Sequence, residues 1–209
     1  MAVLNGIAYF QGRRDEVPNL ELARDLAARE DQAGIREIAE NLWNREPNIC
    51  SDCLKVLYEI GYLKPALIMP YAADFVKLLV SRNNRLVWGG MIALSTIAGI
   101  AAEQIYPHVA EIQRVMPNGT VITLDAGVLA LSRMAATSDD RRAFLLPYLF
   151  DFLRSCRASD VPRHAERITM AVTAGDKAEF LALLQARMPQ LTRAQACRLN
   201  RIIRQAEGR

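Results

Sequence analysis

Two cysteines separated by two residues are the clearest candidates for chemistry in this 209-residue sequence. Cys50 and Cys53 form a CxxC motif, a spacing that is typical of redox-active pairs and of zinc ligands. A structural zinc ion normally takes four ligands, but the sequence has no second CxxC and only two histidines, His108 and His164. We therefore expect no metal and no cofactor, and the role of the cysteines depends on the elements around them.

Other catalytic arrangements are also missing from the sequence. It has no phosphate-cradling glycine loop and no set of His, Cys and Asp at a telling spacing. The net charge of +3 is too small to indicate a nucleic acid partner by itself. The charge is uneven, since residues 1–104 hold 11 Lys and Arg against 13 Asp and Glu, and the remainder holds 15 against 10. We expect no catalytic residues, although the sequence leaves enzymatic activity open.

The location of the protein is predicted from the absence of sequence features that would direct it out of the cytoplasm. The N-terminal residues carry no basic start and no clear cleavage site, so we expect no secretory signal. The longest apolar stretch, residues 88–102, is interrupted by Gly89, Gly90 and Gly99 and is too short to span a bilayer. Four cysteines without a dense framework are typical of a reducing compartment. These features predict a cytoplasmic protein with no membrane partner.

The chain contains an internal repeat. A proline followed by an acidic residue four positions later and a basic residue seven positions later occurs three times, at Pro70, Pro107 and Pro147. These prolines are 37 and 40 residues apart, and periods of this size indicate stacked pairs of helices. Because proline is tolerated in the first turn of a helix, each proline predicts the start of the first helix, A, of a pair.

A second register locates the other helix of each pair, B. Val56-Leu57, Ala93-Leu94 and Ala130-Leu131 are each separated by 37 residues. Around each dipeptide, apolar residues recur at offsets 0, 3, 4, 7 and 10, which places them on one face of a helix. Cys50 and Cys53 occupy this face in the first copy, so we expect both cysteines to be packed in the core.

Turn-forming residues separate the helices, and no segment shows the sustained alternation of a strand. We predict a leading helix at 19–30, followed by five A/B pairs. The predicted ranges of the pairs are 34–45/48–62, 66–81/84–100, 103–116/120–136, 141–156/160–174 and 176–188/192–206.

These two-helix units, with proline in the first helix and Ala-Leu in the second, resemble HEAT repeats, which are relatives of armadillo repeats. The resemblance covers about residues 31–174 and implies an all-α, right-handed superhelix of about five HEAT-like hairpins. It also implies one solenoid domain, 1–209, with an N-terminal capping helix in 1–30 and a C-terminal capping hairpin in 175–209. One feature of many HEAT units is missing, because the column that often holds an arginine reads Ser51, Trp88 and Asp125.

In repeats of this kind the B helices usually line a concave groove. Six residues are predicted on that face: Trp88, Ile92, Thr96, Asp125, Leu129 and Arg133. An exposed apolar patch rimmed by charge often marks a binding site. The groove is therefore predicted to hold a segment of a partner protein, while the alternative, in which these side chains pack beneath neighbouring units, stays open.

Arginines near helix ends predict a second kind of contact. Those that could meet an anionic partner are Arg82, Arg85, Arg163, Arg198 and Arg201. The last helix is basic and amphipathic, which favours a polar cap for the end of the stack. A binding site for an anionic partner on that helix stays open.

The leading hypothesis is a non-catalytic scaffold that binds another protein or a peptide segment in its groove. The alternative is a nucleic-acid-binding protein, since some alkylpurine DNA glycosylases are built from HEAT-like repeats. The resemblance to those enzymes rests on a tryptophan, an aspartate and an arginine, here Trp88, Asp125 and Arg133. Phosphate contacts would make binding steeply dependent on salt, which distinguishes the two hypotheses.

Overall fold

The computed structural model describes residues 2–208, where the regular elements are all helices. The α-helices in chain order are α1 (Val17–Arg29), α2 (Gln32–Glu40), α3 (Pro47–Leu63), α4 (Ala72–Leu78), α5 (Asn84–Ile97), α6 (Ala102–Ile105), α7 (Val109–Val115), α8 (Val121–Ala135), α9 (Asp139–Ser155), α10 (Val161–Ile168), α11 (Lys177–Arg187) and α12 (Arg193–Glu207). Short 3₁₀ helices precede or extend several of them. None of these described helices combines the length and apolar character needed to cross a bilayer.

The predicted B helices agree closely with helices of the structure. α3, α5, α8 and α12 each begin and end within three residues of the predicted positions. Local capping explains the accuracy, because the Asn83 side chain accepts a hydrogen bond from the Arg85 amide at 2.9 Å and starts α5. The remaining B helix is shorter than predicted, since α10 ends at Ile168 and continues as the 3₁₀ helix Thr169–Ala171.

The proline-led A helices differ from the prediction in how they begin. Pro70 and Pro107 each occupy the second position of a 3₁₀ turn, and α4 and α7 start directly after those turns. Proline has no amide hydrogen for a helical bond, so it belongs in a first turn. Pro147 lies instead inside α9, which begins at Asp139 behind the capping hydroxyl of Ser138. The range predicted for this helix, 141–156, is confirmed within two residues, but the helix starts eight residues before Pro147 and not near it.

The B helices α3, α5 and α8 each bury the apolar face that the spacing predicts. Leu57, Leu94 and Leu131, the leucines of the three dipeptides, are completely buried. Burying one leucine side chain contributes about 1.5–3 kcal/mol to folding, so each of the three is a major stabilising feature of its unit. The equivalent positions of α3, α5 and α8 also bury Cys50, Cys53, Leu54, Ile60, Val87, Gly90, Met91, Ile97, Gly127, Val128 and Met134.

Both cysteines of the CxxC motif are buried in this core, which confirms the packing role predicted for them. Burial raises the pKa of the Cys50 and Cys53 thiols, so both stay protonated at neutral pH. The Cys50 Sγ lies 3.1 Å from the Asn44 carbonyl oxygen, which accepts its weak hydrogen bond. A neutral, buried thiol packs like a small apolar side chain.

Helices α3 and α5 pack closely because glycines lie where they meet. A Cβ atom on Gly89 of α5 would stand 2.5 Å from the Leu54 Cδ2 atom of α3. A Cβ atom on Gly61 of α3 would stand 2.2 Å from the Thr96 hydroxyl of α5. Neither position has room for a larger residue, so the two glycines fix how α3 and α5 present their outer faces.

The chain forms two compact units, one ending at Gly127 and the other beginning at Val128, so the boundary lies within α8. In the second unit, α12 packs against α10 and α11. Its apolar side chains are buried there: Leu199, Ile202, Ile203 and Ala206. The apolar face of this basic helix is thus covered within its own unit, and its arginines remain on the exposed side.

Candidate binding surface on helices α3 and α5

The outer side of α3 and α5 carries a cluster of aromatic rings, the aromatic cluster, formed by Tyr58, Tyr62 and Trp88. The Tyr58 ring centroid lies 6.3 Å from that of Tyr62, one turn along α3, and 6.3 Å from that of Trp88 on α5. Tyr58 is buried, Trp88 is half-buried and Tyr62 is 57% exposed. Ile92, one turn after Trp88, is also half-buried. Tyr62 and Trp88 pack against the buried Tyr58 ring yet remain partly accessible, which suits an apolar anchor site.

A lysine of the same surface is enclosed by groups of the chain itself. The Lys55 ammonium lies 3.0 Å from a Glu16 carboxylate oxygen, 2.9 Å from one of Glu59 and 4.9 Å from the Tyr58 ring centroid. Burial opposes its charge, but hydrogen bonds to Glu59 and Glu16 outweigh burial and raise the pKa of Lys55. Burial also raises the pKa of Tyr58 to about 12. Lys55 therefore stays charged and Tyr58 stays neutral at physiological pH.

Asp52 of α3 attaches the N-terminal segment, residues 2–16, to this surface. One carboxylate oxygen of Asp52 accepts a hydrogen bond from the Tyr9 amide at 2.8 Å. The other accepts from the Asn19 side chain at 3.0 Å, and the Asn19 oxygen accepts from the Ala8 amide at 2.9 Å. Asn19 is completely buried. These bonds connect the segment to both α1 and α3 and hold its loop beside α5.

A cleft of about 460 Å³ lies between the N-terminal segment and the first turns of α3 and α5. Its charged lining residues are Arg13, Arg14, Asp15, Glu16, Asp52 and Arg85. A smaller cleft against Tyr58 and Trp88 shares three of these residues, Glu16, Asp52 and Arg85. The larger cleft therefore opens next to the aromatic cluster.

Most charges of the larger cleft are already paired. Arg13 forms an ion pair with Asp15 at 2.9 Å, Glu16 pairs with Lys55, and Asp52 accepts the amide hydrogen bonds described above. The guanidinium groups of Arg14 and Arg85 differ, because neither makes an ion pair or a hydrogen bond with any residue between 2 and 208. Both side chains belong to exposed residues. The cleft thus presents two guanidinium groups that have no ion-pair or hydrogen-bond partner among the described residues.

No protein-family model matches the chain, and no curated protein sequence matches it either. Solved structures do match. A designed armadillo repeat protein in complex with the peptide (KR)4 aligns over 89% of this chain and 85% of its own, with a TM-score of 0.70 and 12% identity. The chain has an armadillo-like α-solenoid fold.

Two further matches extend the armadillo-like fold over the chain. Computationally designed armadillo repeat proteins for modular peptide recognition cover 98% of both chains, with a TM-score of 0.68 and 10% identity. An engineered protein covers 100% of this chain and 98% of its own, with a TM-score of 0.66 and 18% identity. The all-α repeat fold predicted from the spacing is confirmed. Identities this low establish the fold and nothing further about activity.

The armadillo-like fold places the six predicted groove residues in different surroundings. Trp88 and Ile92 lie on the outer face of α5 and are half-buried. Thr96 is only 7% exposed, and its hydroxyl donates to the Ala93 carbonyl at 2.7 Å. Its side chain packs against Gly61 of α3. Asp125 is half-buried in the part of α8 that belongs to the first unit. The remaining two are half-buried in the second unit: Leu129 and Arg133.

The arginines predicted to contact an anionic partner also differ from one another. Arg82 and Arg85 are exposed in the first unit, and neither pairs its guanidinium with any described residue. In the second unit, Arg163 pairs with Asp160 at 2.9 Å and Arg198 pairs with Glu166. Arg201 is exposed on α12. Internal carboxylates therefore already neutralise part of the predicted basic set.

Sequence reasoning missed several residues that build this surface in the armadillo-like fold. Tyr58 and Tyr62 could have been found, because their spacing of four residues places them on one face of α3. Asn19, Asp52 and Arg14 gave no comparable signal. Asn19 meets Asp52 across 33 residues of sequence, and Arg14 reaches the cleft only because the N-terminal segment is held there. No periodicity of the repeat marks any of the three.

Proposed function

We propose that this protein is a non-catalytic interaction scaffold that binds an extended segment of a partner protein on the outer face of α3 and α5. The observation that carries the proposal is the aromatic cluster, in which Trp88 and Tyr62 remain accessible on two adjoining B helices. Tyrosine and tryptophan are the side chains that most often supply binding energy in protein interfaces. Their placement on rigid helices rather than on a loop keeps the entropic cost of binding low.

Two features support a peptide as the occupant. Of the similar solved structures, one is a designed armadillo repeat protein in complex with a peptide, and another was designed for modular peptide recognition. In this chain the partly exposed apolar strip of Tyr62, Trp88 and Ile92 lies beside a polar cleft, as expected for a site with an apolar centre and a charged rim.

The proposal predicts that Trp88 is needed for peptide capture. Peptides selected from a random display library on the wild-type protein should bind the Trp88→Ala variant at least roughly 30-fold more weakly, which corresponds to about 2 kcal/mol for a central aromatic anchor. Dissociation constants from fluorescence anisotropy measure the change.

The matched control is Trp43→Ala, which removes an exposed tryptophan of the first unit that lines neither cleft. Its affinity for the selected peptides should equal that of the wild type. Selected peptides that bind Trp88→Ala as tightly as the wild type, or a library that yields no binder, would exclude this surface as the peptide site.

The nucleic acid hypothesis keeps one observation in its favour, namely that Arg82 and Arg85 present guanidinium groups that no described residue neutralises. Phosphate contacts through these arginines would weaken steeply as salt is added. A duplex oligonucleotide is therefore included among the probes of the experiment below.

A further inference from the structure

The charges beside the aromatic cluster indicate what kind of segment fits there. Building on the proposed function, we infer that the partner segment is acidic. Its carboxylate side chains pair with Arg14 and Arg85, and an apolar side chain next to them packs against Tyr58 and Trp88. Most charges of the site have partners within the chain, whereas two arginines have none among the described residues.

A basic segment finds no free carboxylate at the aromatic cluster. Glu16 and Glu59 both already hold Lys55, whose ammonium also lies over the Tyr58 ring. Asp52, which lines the small cleft against the rings, accepts hydrogen bonds on both of its carboxylate oxygens. Lys55 thus already occupies the position that a cationic side chain of the partner would take. A peptide lysine or arginine would have to displace Lys55 from two ion pairs and one cation–π contact before it could bind there.

An acidic segment meets the opposite situation in the neighbouring cleft. Of the six charged residues that line it, Arg13, Asp15, Glu16 and Asp52 have partners within the chain. Arg14 and Arg85 have none among the described residues. A guanidinium presents a planar fork of donors that matches a carboxylate, so each arginine can take one acidic side chain in a bidentate pair.

Arg85 connects the two parts of the site. It lines both the larger cleft and the smaller cleft against Tyr58 and Trp88. Arg85 and Trp88 are also i,i+3 neighbours on α5, so they face the same side of the helix. An apolar residue on the rings and an acidic residue on Arg85 can therefore belong to one short stretch of peptide. The expected partner has the opposite charge to the (KR)4 peptide of the designed armadillo repeat protein.

The test uses labelled peptides of one length and fluorescence anisotropy. The acidic probe is EEFEEFEE, its uncharged counterpart is QQFQQFQQ, and the basic probe is (KR)4. A duplex oligonucleotide serves as the polyanion without an apolar side chain. We expect the acidic probe to bind at least 10-fold more tightly than either other peptide, and to weaken as sodium chloride is raised from 50 to 500 mM.

The variant Arg14→Gln/Arg85→Gln should lose at least 10-fold in affinity for EEFEEFEE. The matched control, Arg24→Gln/Arg45→Gln, removes two exposed arginines of the first unit that line neither cleft and should bind like the wild type. All four altered side chains are exposed, so thermal unfolding by circular dichroism should show the same fold and stability in both variants.

Several results would overturn the inference: no binding of EEFEEFEE, stronger binding of (KR)4, tighter binding of the oligonucleotide, or an acidic probe that is insensitive to Arg14→Gln/Arg85→Gln. Library-selected peptides that depend on Trp88 but show no acidic preference would overturn the inference and leave the proposed function standing. Peptide binding that is insensitive to Trp88→Ala would remove both.

Discussion

At the scale of single residues, His164 is the group whose titration should be most visible in stability. It is almost fully buried in the second unit, with its ring centroid 5.3 Å from that of Phe152 in an edge-on contact. Burial, followed by the charge of Arg167, lowers the pKa of His164 from 6.5 to about 4, although Asp160 acts in the opposite direction. The folded protein therefore keeps this imidazole neutral under conditions in which the unfolded chain would protonate it.

This difference predicts a pH dependence of unfolding. Above about pH 6.5 both states hold a neutral imidazole, so His164 adds no slope there. As the pH falls from about 6.5 to about 4, His164 binds a proton in the unfolded chain but not in the folded one. The free energy of unfolding therefore declines. Urea denaturation between pH 7.5 and 4.5 measures the decline.

The variant His164→Leu should lose the part of this slope that lies between pH 5 and 7, whereas His108→Gln should retain it. An unchanged slope in His164→Leu would assign the effect to other groups. The comparison uses slopes rather than absolute stabilities, so a general destabilisation by the leucine does not obscure it.

At the scale of elements, the contact between α3 and α5 decides how the binding surface is presented. Both helices contribute a glycine to this contact, and the added Cβ atom in Gly89→Ala would stand 2.5 Å from the Leu54 Cδ2 atom. Relief of that overlap requires α5 to move away from α3 or Leu54 to leave its rotamer. Changes of this kind typically cost about 1–3 kcal/mol.

Gly89→Ala should therefore lower the free energy of unfolding by about 1–3 kcal/mol, measured by urea denaturation. Gly99→Ala is the control, because nothing lies within 4 Å of the added methyl group and the φ angle is not positive. This control should be neutral or slightly stabilising. A Gly89→Ala variant with wild-type stability would show that the helices do not need their close approach.

At the scale of the whole molecule, the sequence predicted the periodic features and little of the site. The spacing of 37 residues placed each of Leu57, Leu94 and Leu131 on the buried face of its own helix, because a repeated helical unit imposes the same residue type at the same helical position. Capping side chains then set the starts of α3, α5 and α12. The same repeat alignment predicted Thr96 in the groove. The close approach of α3 buries this side chain instead.

The charge of the site could not be predicted from composition. Residues 1–104 hold more acidic than basic side chains, yet the two uncommitted charges of the cleft are both positive. The reason is that pairing, not number, decides which charges are free, and pairing depends on contacts between distant parts of the chain. Glu16 meets Lys55 across 39 residues, and Tyr9 meets Asp52 across 43.

The most direct test of the central claim is the position of a bound peptide. A library-selected peptide that carries a benzophenone group can be cross-linked to the protein, and the attachment sites can be identified by mass spectrometry. The account predicts cross-links to the outer face of α3 and α5 around Tyr62, Trp88 and Ile92, and to the loop that contains Arg14. Cross-links confined to any other helices of the chain would contradict it.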